Sequence, residues 1–86
     1  MENYQYIRVY ARLFRQGSEF RRLCVMLEPQ MIVTEVKKKI DEEFIELFPG
    51  ESHFQVGRIE DENSFVLSNW AQVADILQPG STIIAI

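Results

Sequence analysis

The chain has 86 residues, 47% of them hydrophobic, and a formal net charge of -4 at pH 7. That length suits one domain with a single core, residues 1–86, and that hydrophobic share excludes a disordered polymer. No apolar run approaches the roughly 20 residues that span a bilayer and no signal-peptide core opens the chain, so membrane insertion is not expected. The lone Cys24 cannot form an internal disulfide, which points to the reducing cytoplasm. Charge is uneven along the chain: residues 1–39 hold eight Arg/Lys against four Asp/Glu, and residues 40–86 hold one Arg against nine Asp/Glu. A fold that keeps these halves apart would be electrically polarised, and one that interleaves them would not.

Residues 4–15 read as a strand, because Ile7, Val9, Ala11 and Leu13 alternate with Tyr6, Arg8, Tyr10, Arg12 and Phe14. Gln16-Gly17-Ser18 breaks the pattern as a hairpin connection, and residues 19–28 return with Leu23, Val25 and Leu27 on one side and Arg22, Cys24 and Met26 on the other. Pro29 follows the strand, where its missing N–H is harmless. A helix over about 33–48 follows, either capped by Thr34 or beginning a residue or two earlier, with Pro49-Gly50 as its stop. Its core stripe is Val36, Ile40, Phe44 and Leu47; Ile45 lies opposite, either exposed or under the following loop. Phe54 to Ile59 is expected as a third strand, Glu60-Asp61-Glu62-Asn63 as an acidic turn and Phe65-Val66-Leu67 as a brief fourth strand. Ser68 to Leu77 reads as a short inward-packing helical turn, with Trp70 and Leu67 in the core. After the turn Gln78-Pro79-Gly80-Ser81, the apolar run Thr82 to Ile86 reads as a central strand lying parallel to the first. The sum is an α+β fold, a mixed sheet of four to five strands crossed by one main helix.

The order of elements resembles ubiquitin and the ubiquitin-like (β-grasp) domains. Leu27-Glu28-Pro29 with Glu35-Val36-Lys37-Lys38-Lys39-Ile40 is similar to that family's strand end, proline and helix start. Gly57-Arg58-Ile59-Glu60-Asp61, Leu67-Ser68-Asn69-Trp70 and Ser81-Thr82-Ile83 are similar to its acidic turn, its corner and its last strand. The diglycine tail needed for conjugation is not matched, because the sequence ends at Ile86, so a modifier role is not implied. Two further resemblances bear on partners. Ile7-Arg8-Val9-Tyr10, Arg21-Arg22 and the lysines opening the helix resemble Ras-association and Ras-binding domains, which implies a basic face meeting an acidic GTPase. Glu60-Asp61-Glu62-Asn63 with Phe65-Val66-Leu67-Ser68 is similar to the acidic cluster of Phox-and-Bem-type domains, which assemble front to back; their full alternating aspartate pattern is missing.

No base, nucleophile and orienting acid occur at a recognisable spacing, and His53 stands alone, so no enzyme, metal or cofactor is expected. Glu60-Asp61-Glu62 is too short a run of oxygen ligands for a calcium loop. The cations Arg8 and Arg12 alternate with aromatics, a pattern compatible with nucleic acid, but an acidic domain argues against phosphate binding and favours guanidinium stems packed over rings. Lys37, Lys38 and Lys39 either pair with Asp41, Glu42 and Glu43 or serve a partner; cations at a helix start oppose the macrodipole by about 0.3–1 kcal/mol each, a small cost that leaves the two readings evenly matched. The expected function is therefore a non-catalytic protein-interaction module of a larger signalling or scaffold protein. Its basic face, Arg8, Arg12, Arg15, Arg21, Arg22, Lys37, Lys38 and Lys39, would dock an acidic protein, a small GTPase being one candidate. The alternative is head-to-tail self-association of that face with Glu60, Asp61 and Glu62 of another copy.

Overall fold

The computed structural model describes residues 5–86; Tyr4, at the head of the expected first strand, lies outside the described residues. Strands β1 (Ile7–Arg15) and β2 (Ser18–Leu27) form an antiparallel hairpin joined at Gln16 and Gly17. Both turn residues take positive φ, 53° and 80°, as a two-residue turn matched to strand twist requires. Helix α1 (Val33–Leu47) follows, then β3 (Ile59–Asp61), the single turn α2 (Val73–Ile76) and β4 (Thr82–Ala85). The sheet order is β2-β1-β4-β3, with β4 parallel to β1 and antiparallel to β3. This is the expected mixed sheet, with the last strand inside it.

The core is the product of two periodicities. Ile7, Val9, Ala11 and Leu13 from β1 and Leu23, Val25 and Leu27 from β2 turn to one side, where Val33, Val36, Ile40 and Phe44 of α1 cover them. Val9, Val25, Leu13 and Ile40 have no exposed surface. A register shift between Leu13 and Phe14 sets Phe14 opposite Glu19 and skips Phe20, whose ring then packs 5.9 Å from Phe44 and 5.3 Å from Phe54.

Three expectations are corrected and one left open is decided. Leu47 is exposed, because the fourth residue after Phe44 is Phe48, and it is that ring which packs on Phe44 at 5.3 Å. Of the two expected starts of α1 the earlier one holds: the helix begins at Val33, and Thr34 is not its cap. Ile32 stands at the cap position, its N–H is taken by the Glu35 carboxylate at 2.9 Å, and the N–H groups of Val33 and Thr34 go to the carbonyls of Ala71 and Asn69, both at 3.1 Å. The third strand begins only at Ile59, so Glu60 and Asp61 belong to it and not to a turn. Phe54 to Gly57 stay outside the ladder, with the Val56 amide donating to Asp41, while Arg58 exchanges both backbone hydrogen bonds with Ile86, each at 3.0 Å, and so continues the β3–β4 register by one pair. Phe65-Val66-Leu67 makes one isolated bridge, Val66 to Glu60, and no strand.

Candidate protein-interaction site

Strand alternation sends Arg8, Tyr10, Arg12 and Phe14 to the sheet face turned away from α1. Register then fixes their neighbours: Arg8 opposite Met26, Tyr10 between Cys24 and Thr82, Arg12 between Arg22 and Ile84, and Ile84 beside Glu60. Tyr10, Arg12, Arg22, Cys24 and Thr82 line an open depression of about 440 Å³ on this face. Tyr10 and Met26 are exposed, as are Arg8, Arg22 and Cys24.

One carboxylate governs the charge there. Glu19 accepts from Arg12 Nε at 2.9 Å and Nη2 at 2.6 Å, and also from Arg22 Nε. The hydrogen bonds from Arg22 and Arg12 hold the Glu19 carboxyl down at about 2, and Glu19 in turn raises Arg22. Two guanidiniums therefore share one anion, and Arg8 has no carboxylate partner among the described residues. Glu19 was not among the expected site residues. Its signal in the sequence is its position three residues before Arg22 on a strand folding back beside Arg12.

The eight expected cations do not form one face. Arg8, Arg12 and Arg22 share the outer sheet face. Arg15 is tied down: its Nη2 donates to the carbonyls of Ser52 and His53, each at 3.1 Å, and its guanidinium lies 4.2 Å from the Phe20 ring centre. Arg21 pairs with Glu51 at 2.5 Å and lies over Phe48. Lys37, on α1 across the sheet, donates Nζ to Gly57 O at 2.9 Å and Asn69 Oδ1 at 2.7 Å. That bracing of two loops accounts for a cation kept near a helix start. Lys38 is exposed and Lys39 half-buried, and among the described residues neither pairs with Asp41, Glu42 or Glu43.

The acidic residues are similarly divided. Glu60 accepts from Arg58 Nε at 2.8 Å. Asp61 Oδ1 accepts the amides of Asn63 and Phe65, both at 2.9 Å, and so shapes its own turn. Glu62 alone is exposed with no side-chain partner among the described residues. Beyond it, Phe65, Val66 and Trp70 are exposed by 68%, 61% and 79%. The inward Trp70 expected from the sequence is thus corrected: Asn69 and Ala71 turn their carbonyls to the helix start, which aims the residue between them outward. Leu67 is half-buried against the core, and Ile45 is exposed. Among the described residues no helix is long and apolar enough to cross a membrane, and no cluster of three or more His, Cys, Asp or Glu is placed to hold a metal ion.

Comparison with known proteins adds three findings. Residues 20–86 match the family model described as Cdc14 phosphatase binding protein N-terminus. Over 72 residues, 84% of this chain, the sequence is 24% identical to the nucleolar protein dnt1 of Schizosaccharomyces pombe; the match spans only 12% of that relative's length. The fold is similar to the ubiquitin-like (UBL) domain of Plasmodium falciparum Dsk2, with a TM-score of 0.61 and 15% identity over 95% of this chain and 100% of that one. At that identity the likeness speaks for the fold, which is a ubiquitin-like β-grasp.

Proposed function

Because the chain belongs to the family of Cdc14 phosphatase binding protein N-termini, we propose that it is a non-catalytic protein-interaction module whose outer sheet face docks an acidic surface of that phosphatase. The observation carrying this reading is the charge on that face: Arg12 and Arg22 lie side by side and share the Glu19 carboxylate, Arg8 stands on the same face beyond Tyr10, and Glu60 at the far end of the row is taken up by Arg58. Exposed Tyr10 and Met26 add apolar area beside the cations, the mixture that protein interfaces favour. Net positive charge on an open sheet would speed encounter with an acidic partner and make binding weaken with salt. The module is read as one domain of a longer protein, in keeping with the small share of dnt1 it spans.

A small GTPase is the alternative acidic partner. Self-association through the acidic turn is a weaker reading, since Glu60 and Asp61 are bonded within the chain and Glu62 alone is left for a second copy. The expected cytoplasmic location gains nothing from a relative named for the nucleolus; a reducing compartment of either kind suits a free Cys24. The test is capture of Cdc14 phosphatase by the wild-type chain, by Arg8→Glu/Arg22→Glu and by Lys38→Glu on the opposite side. Loss with the arginine pair alone supports the reading. Equal capture by all three overturns it.

A further inference from the structure

We infer that the edge carrying Phe65, Val66 and Trp70 is a second docking surface, fitted to a partner segment that sets apolar side chains beside arginine or lysine. The apolar half of this argument is exposure. Three large hydrophobic residues within one six-residue segment are exposed by 61–79%, and clustered exposed apolar groups, unlike scattered ones, mark contact sites. Phe65 and Val66 also sit at the outermost position of the sheet, because the Val66–Glu60 bridge lies beyond β3, itself an edge strand, and Trp70 follows on the corner that leads to the start of α1.

The segment is held rigidly while its side chains face outward. Asp61 N donates to Phe65 O at 2.9 Å and Leu67 N to Ile59 O at 2.8 Å. On the other side Asn69 O takes Thr34 N at 3.1 Å and Thr34 Oγ1 at 3.2 Å, and Ala71 N closes a turn on Ser68 O. A tryptophan presented on so braced a backbone loses little freedom on binding, which is what makes such a residue an anchor.

Charge selects the occupant. Arg58 is taken up by Glu60 and Asp61 by its own turn, and from Ile59 to Ile86 there is no Lys, Arg or His, which leaves Glu62 and Asp75 as the carboxylates with no side-chain partner among the described residues. Lys37, which reaches Asn69 beside Trp70, is engaged by two oxygens. A cationic segment is therefore complementary at Glu62, and its cation can also lie on the indole face. This preference is opposite to that of the arginine face, so the two surfaces accept different chemistry and fail independently.

Trp70 is the chain's one tryptophan, so its emission reports the site directly. The 86-residue chain is titrated with short synthetic peptides of leucine and arginine, of leucine and glutamate, and of serine and arginine. The first is expected to shift the emission and to bind about tenfold tighter than either other. Phe65→Ser and Glu62→Lys should each weaken it several-fold, with the denaturation midpoint unchanged because both positions are exposed, while Arg8→Glu should leave it unaltered. No shift with any peptide, an equal response to the leucine–glutamate peptide, or indifference to Phe65→Ser would overturn the inference. So would a mass in sedimentation that rises with concentration and is abolished by Phe65→Ser, because the occupant would then be a second copy.

Discussion

The Asp41 carboxylate accepts the Val56 amide at 2.9 Å, tying the middle of α1 to the chain that leads into β3. Burial raises the Asp41 carboxyl above its usual 3.8, against the opposing pull of the Val56 amide and His53. Asp41→Ala should cost about 1–3 kcal/mol, since it strands a buried N–H, and Asp41→Asn should cost less because an acceptor remains. The sign of the pH effect follows from the raised value: the group's stabilising contribution is full below the ordinary carboxylate value and is lost as pH rises through the raised one. Urea denaturation should therefore show Asp41→Asn gaining on the wild type between acid and neutral pH.

Glu19 behaves in the opposite sense. Its carboxyl, lowered from 4.5 to about 2, contributes stability above its unfolded value that disappears as pH falls from 4.5 towards 2. Glu19→Gln should flatten that acid limb of the stability profile while leaving the fold intact at neutral pH. Denaturation midpoints measured across this range provide the check.

Phe44→Ala should cost about 3–5 kcal/mol, because it empties the junction of Phe20, Phe48 and Phe54. Leu47→Ala, one turn on and exposed, should stay within about 0.5 kcal/mol. Chemical denaturation of the two variants compares them directly; similar losses would restore Leu47 to the core.

Glu35→Ala should cost about 0.5–2 kcal/mol by leaving the Ile32 N–H at the start of α1 without its acceptor. Thr34→Ala should cost less, since the Thr34 amide keeps the Asn69 carbonyl whichever side chain is present. Calorimetric melting of both variants distinguishes capping by Glu35 from capping by Thr34.

The site was less legible than the fold. Arg8, Arg12 and Arg22 could be assigned to one strand face by alternation, but no pattern reveals that Glu19 sits between two of them; hairpin register decides that. Arg15, Arg21 and Lys37 look the same in sequence as their exposed neighbours. They differ because carbonyls or a carboxylate of the loops after α1 come within reach of their tips. Trp70 departs from the expected burial for a related reason: hydrophobicity predicts burial on average, whereas here the backbone on either side of the ring is committed to the helix start.

Periodicity determined the part of the core that β1, β2 and the first three turns of α1 supply. A two-residue repeat in β1 and β2 and a helical repeat in α1 fix which side of each element is apolar, and burying those sides leaves few arrangements. Which cations remain available, which acids are already bonded and where the large aromatic rings point were decided by the tertiary structure. Those outcomes depend on contacts between residues far apart in the chain, such as Lys37 with Asn69 and Arg15 with His53, and a local pattern carries no record of them.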